Sequence, residues 1–94
     1  MIKRIVKMEF KDEKINAFIS LIEINKEKIV ESKGCVSLEI LQDIKNKNVF
    51  FTYSCWEREE DLNNYRNSTL FNEVWKETKT YFNNKPLAWS VNII

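Results

Sequence analysis

Few side chains in this sequence could do chemistry. There is no histidine, which removes the commonest general base and the commonest metal and haem ligand. The two cysteines, Cys35 and Cys55, have neither a C-x-x-C spacing nor a histidine to complete a zinc set, so no metal site is expected. Ser68 has no base to activate it and suits a helix N-cap better than a nucleophile. Glu57, Glu59, Glu60 and Asp61 crowd one first turn, where carboxylates complement a helix dipole rather than form an acid–base pair. What remains is an aromatic concentration from Phe50 to Phe82, holding two of three tryptophans, all three tyrosines and four of six phenylalanines. Any pocket should have this stretch as one wall.

Hydrophobic spacing predicts the elements that carry these residues. Ile2 to Phe10 reads as a strand, with Ile2, Val6, Met8 and Phe10 on one face and Lys3, Ile5, Lys7 and Glu9 on the other. Arg4 falls on the apolar side, where a rim residue reaching water is the expectation and an anion contact inside a pocket the alternative. Asp12 is placed to cap a helix in which Ile15, Phe18, Ile19, Ile22, Ile29 and Val30 recur at helical spacing, with a bend or break expected near Asn25 to Lys28. Gly34, the only glycine, sits where a left-handed C-cap is needed. Cys35 to Ile44 and Val49 to Trp56 read as a hairpin that brings Cys35 roughly opposite Cys55. A disulfide could span that pair, but two reduced thiols are the expectation for a cytoplasmic protein. Glu57 to Arg66 reads as a short helix. A second one, capped by Ser68 or Thr69, carries Leu70, Phe71, Val74, Trp75, Thr78, Tyr81 and Phe82 on one face, and Pro86 cannot continue it. Leu87 to Ile94 is a last strand.

The resulting order, β-α-β-β-α-β, predicts a ferredoxin-like α+β fold with a four-stranded antiparallel sheet and helices on one face. Ninety-four residues make one domain, residues 1–94, whose core is thin. With 44% hydrophobic and 13% aromatic residues, some apolar surface should be left over for a homodimer contact. A net charge of +1 from 15 basic and 14 acidic residues argues against nucleic-acid partners. The charged N-terminal stretch does not resemble a signal peptide and no apolar run approaches a membrane span, so a cytoplasmic location is the default.

The segment Trp56, Glu59, Leu62, Tyr65, Arg66, Ser68, Phe71 and Trp75 resembles the antibiotic-biosynthesis-monooxygenase family. So do the junction Gly34-Cys35-Val36-Ser37-Leu38-Glu39 and the ending Lys85-Pro86-Leu87-Ala88-Trp89-Ser90. The resemblance spans essentially the whole chain and implies a dimeric α+β barrel, two ferredoxin-like sheets closing on each other with the helices outside. One branch of the family degrades haem with a histidine on the long helix. Aligned without gaps from Trp56, that position falls on Trp75, and indole cannot ligate iron. The asparagine of that branch's first strand has no match among Ile5, Val6, Lys7 and Met8. Haem degradation is therefore disfavoured.

The other branch oxidises aromatic or quinol-like molecules with molecular oxygen and no cofactor. By that resemblance Trp56, Tyr65 and Arg66 are the catalytic candidates, and Tyr53, Phe71 and Trp75 the substrate-contacting ones. Trp56 would wall the cavity, and Tyr53, Tyr65 and Arg66 would hydrogen-bond or neutralise an oxyanion. Each has an ordinary alternative: core packing for the tryptophans and Tyr65, and a helix-end ion pair with Glu59 or Glu73 for Arg66. The competing reading of the whole is a non-catalytic dimeric barrel that binds a small hydrophobic ligand or serves as an interaction module.

Overall fold

The computed structural model describes residues 1–94. Strands β1 (Ile2–Glu9), β2 (Cys35–Gln42), β3 (Val49–Trp56) and β4 (Leu87–Asn92) form one antiparallel sheet in the order β2-β3-β1-β4. Helices α1 (Ile15–Val30), α2 (Glu59–Arg66) and α3 (Thr69–Lys79) complete the order β-α-β-β-α-α-β, a ferredoxin-like arrangement whose second crossover is split into two helices.

Period-two alternation sorts every strand residue to one face. Towards the helices β1 sends Arg4, Val6 and Met8, and β3 sends Phe50, Thr52, Ser54 and Trp56, as the register Met8↔Phe50 and Arg4↔Ser54 requires. The core gathers at one end of this face. Phe10 is fully buried, stacked on Phe18 at 4.4 Å and on Phe82 at 5.5 Å between ring centroids. Burial of such a ring contributes about 2–3 kcal/mol.

The opposite face carries Lys3, Ile5 and Lys7 beside Phe51, Tyr53 and Cys55 on β3 and Leu87, Trp89 and Val91 on β4. No element of the chain covers it: Leu87, Trp89 and Val91 remain 51%, 45% and 41% exposed. Lys3 Nζ donates to the Tyr53 hydroxyl at 2.9 Å and lies 4.6 Å from its ring centroid.

Several local expectations are corrected. Asp12 does not cap α1; it opens a 3₁₀ turn (Asp12–Lys14), and the α1 N-cap Lys14 makes no side-chain capping bond. The helix then runs unbroken through Asn25 to Lys28. Ile22 and Ile29, seven residues apart, are both buried, and Asn25 bonds back to the Leu21 carbonyl at 2.8 Å. At the other end α3 stops at Lys79, short of Tyr81 and Phe82. Lys11 N–H donates to the Tyr81 carbonyl and Asn83 N–H to that of Glu9, so cross-chain bonds displace the next helical turn. Strands β2 and β4 end earlier than their hydrophobicity suggests, at Gln42 and Asn92. Cys35 lies opposite Trp56 and Ser37 opposite Cys55, because a β-bulge between Cys35 and Ser37 shifts the register. The two thiols are free.

Two expectations at helix ends stand. Ser68 caps α3, its Oγ accepting from Phe71 N–H at 3.1 Å. Gly34 has φ +81°, the left-handed region, and a Cβ there would overlap the Asp61 side chain at the start of α2. Gly34→Ala is expected to cost about 2 kcal/mol or more in urea unfolding, from the left-handed backbone and the overlap together. In an Asp61→Gly background the overlap part disappears and only the backbone part remains. An additive double mutant would show that the two residues do not collide.

Candidate functional site

The residues that could act on a ligand converge where sheet and helices part. Between them lies a cavity of about 220 Å³. Its floor is Arg4, Val6 and Met8 of β1, Leu38 of β2, Thr52, Ser54 and Trp56 of β3, and Ala88 of β4. Its roof is Phe18, Ile22 and Ile29 of α1, Leu62, Tyr65 and Arg66 of α2, and Phe71, Val74, Trp75 and Thr78 of α3. The volume is below the roughly 300–1,000 Å³ of pockets that enclose drug-sized ligands and matches a compact ring system. No group of three or more His, Cys, Asp or Glu side chains is placed to hold a metal ion, and no helix is long and apolar enough to cross a membrane.

Trp56 is fully buried and anchors the wall. Its indole N–H donates to Ser54 Oγ at 3.0 Å, and its ring stacks on Tyr65 at 5.0 Å. Tyr65 meets Phe71 edge-on at 5.2 Å, and Phe71 stacks on Trp75 at 6.0 Å. The two tryptophans are thus joined through Tyr65 and Phe71, and the space beside this aromatic run stays open. Burial pushes the Tyr65 phenol up to about 12, with a smaller push from Cys35. Its hydroxyl finds no hydrogen-bond partner in the chain. Since no fully buried side-chain polar atom is left unsatisfied, that hydroxyl reaches open cavity space.

Five of the six expected site residues therefore share one cavity: Trp56, Tyr65, Arg66, Phe71 and Trp75. Tyr53 does not belong with them. It is an odd number of residues from Trp56 on the same strand, so its side chain faces the uncovered side of the sheet, bonded to Lys3. Arg66 has no carboxylate among its cavity neighbours, and neither Glu59 nor Glu73 lines the space with it. Arg4 is a wall residue rather than a mere rim one. Its guanidinium donates to Ser90 Oγ at 3.0 Å, and burial followed by the charge of Arg66 lowers its basicity. The rim expectation for Arg4 is corrected in favour of its alternative, a place inside a pocket, and the cation within an otherwise apolar alternation is the signal for it.

Comparison with known proteins follows the same lines. The family description that matches is antibiotic biosynthesis monooxygenase, over residues 1–77. A conserved protein from Methanosarcina mazei superposes with a TM-score of 0.93 at 20% identity, covering 97% of this chain and 90% of that one. A structure described as antibiotic biosynthesis monooxygenase gives 0.93 at 17%, covering 100% and 99%. Rv0793 from Mycobacterium tuberculosis gives 0.91 at 10%, covering 99% and 94%. At these identities the likeness is one of fold. No match was found among proteins of curated function.

Two outcomes follow from the wall. Ser54→Ala strands the buried Trp56 N–H and should cost about 1–3 kcal/mol, against about 3–5 kcal/mol for Trp56→Ala; chemical unfolding measures both. For Tyr65 the folded phenol is raised from 10.0 to about 12, so the unfolded chain loses its proton first as pH rises. The stability tied to the protonated phenol is fully present below pH 10 and is lost as pH climbs towards 12. Tyr65→Phe should lack that alkaline loss in thermal melts. A wild-type profile no steeper than the variant's would contradict the buried assignment.

Proposed function

The chain belongs to the antibiotic biosynthesis monooxygenase family, and from that premise we propose that it is a small cofactor-independent monooxygenase acting on an aromatic or quinol-like molecule. One observation carries the reading: an aromatic-walled cavity whose charged groups, Arg4 and Arg66, are both cations and whose Tyr65 hydroxyl is unpartnered. Positive charge at the wall of an apolar cavity stabilises an enolate or phenolate.

The chemistry then belongs to the substrate. For an anthrone, the activated CH₂ loses a proton to solvent water, the wall offering no base, and the carbanion reduces oxygen. A C–O bond forms, the second C–H bond and the O–O bond break, and the carbon becomes a carbonyl while the other oxygen leaves as water. All four electrons come from the substrate, so no external reductant is needed. Trp56, Phe71 and Trp75 hold the ring and exclude water; Arg66 and the Tyr65 hydroxyl face the oxyanion. With its pKa near 12 the Tyr65 phenol stays a hydrogen-bond donor at neutral pH.

The same premise supports a homodimer in which the uncovered sheet face meets its copy. Leu87, Trp89 and Val91 supply apolar area there, and Lys3, Tyr53 and Glu39 the polar contacts. A second reading, a barrel that binds a ligand without turning it over, draws on the absence of any general base from the cavity wall.

Oxygen uptake against a panel of anthrones and quinols tests the proposal. Turnover should persist after chelation and gel filtration, fall about a hundredfold in Arg66→Gln and fall about tenfold in Trp56→Phe, which loses the bond to Ser54. Failure of the whole panel would leave the ligand-binding reading. In sedimentation velocity the wild type should run as a dimer and Trp89→Glu as a monomer; a monomeric wild type would remove the barrel.

A further inference from the structure

The cavity wall contains two arginines and no acidic residue. Arg4 comes from β1 and Arg66 from the last position of α2, so two different layers of the fold bring like charges to one space. We propose that Arg4 and Arg66 form a two-sided clamp that selects ligands already carrying a negative charge, a carboxylate or an ionised phenol on a compact apolar ring system.

The argument is one of unbalanced charge. An arginine cannot shed its proton to escape burial, so a guanidinium at a cavity wall must find a partner or remain solvated. The recorded side-chain bond of Arg4 is to the neutral Ser90 hydroxyl, which fixes its position and leaves its charge uncancelled. Arg66 lies close enough to press further on the basicity of Arg4. Arg66 stays exposed to water while Arg4 is partly buried, so an anion between the two relieves the repulsion and the part of the Arg4 hydration that burial removes, and charge-assisted bonds to guanidinium are about twice as strong as neutral ones. Most of the remaining lining is apolar, with Met8, Phe18, Ile22 and Leu38 among it, and suits the apolar remainder of such a molecule.

The wall also lacks a group to generate the anion. It holds no histidine and no carboxylate, and the Tyr65 phenol is held protonated. A ligand that arrives ionised needs no such group. The clamp rests on the cavity described under the proposed function but not on turnover: it concerns what binds.

Calorimetric titration with a naphthalene carboxylate and the matching naphthalene methanol separates the two. The carboxylate should bind at least about tenfold tighter, and the difference should shrink as salt is raised. Arg4→Gln and Arg66→Gln should each remove most of that preference, moving the alcohol by less than about twofold, while Arg4→Lys should keep part of it. Lys3→Gln, on the uncovered sheet face, should leave it intact. Thermal melts and Trp emission report whether each variant folds; if Arg4→Gln does not, Arg66→Gln and the wild-type salt dependence decide. Equal affinities, no binding of either probe, a preference that survives both arginine substitutions, or one lost in Lys3→Gln would each overturn the clamp. Oxygen uptake without anion preference would sink the clamp alone, and anion preference without oxygen uptake would sink the monooxygenase alone.

Discussion

The contact between Trp56 and Tyr65 organises the molecule. Trp56 ends β3 and Tyr65 lies on the inner side of α2, so their stack ties the end of the sheet to the first helix above it. Once α2 is held there, Arg66 follows at its C-terminus and Ser68 turns the chain into α3. Phe71 and Trp75 extend the aromatic run to Phe82 and Phe10. The run acts as a spacer. Aromatic rings meeting edge-on or offset keep the helices a ring's width from the strands, and aliphatic side chains do not fill the gap beneath. The cavity is what that spacing leaves.

The electrostatics of this space restrict what it can do. Its walls are largely apolar and its ionisable groups are cations or a phenol raised by burial. A carboxylate, a metal or a neutral imidazole would each open another kind of chemistry, and the wall offers none of the side chains that supply or hold them. Negative charge is what such a wall favours, because two guanidinium groups border an otherwise largely apolar space. Holding and oxidising an electron-rich anion both draw on that single property.

The sheet separates two roles by face. Towards the helices it presents the cavity floor; away from them it presents a half-apolar surface that the chain leaves open. Tyr53 illustrates how strict the separation is. Its neighbours Thr52 and Ser54 line the cavity, while Tyr53 itself bonds to Lys3 on the far side. A tyrosine near a cavity-wall tryptophan in sequence looks like a partner, but an odd spacing on a strand forbids it.

Strand and helix order, the Ser68 cap, the left-handed Gly34 and the grouping of Trp56, Tyr65, Phe71 and Trp75 were all legible in the sequence. The order, the cap and the glycine follow from local periodicity or from a residue's own backbone preference, and the grouping follows from the aromatic concentration together with the family resemblance. The bulge that moves Cys35 opposite Trp56, the early end of α3 and the continuity of α1 were not, since each is decided by competition between local bonds and bonds to a distant strand. The same holds for Arg4. Its sequence position shows a cation on an apolar face; only the docking of α2 above β1 shows that the face is a cavity wall and that Arg66 shares it. Periodicity fixes which way a side chain points, but what it points at depends on packing between segments far apart in the chain, whose free energy no local pattern encodes.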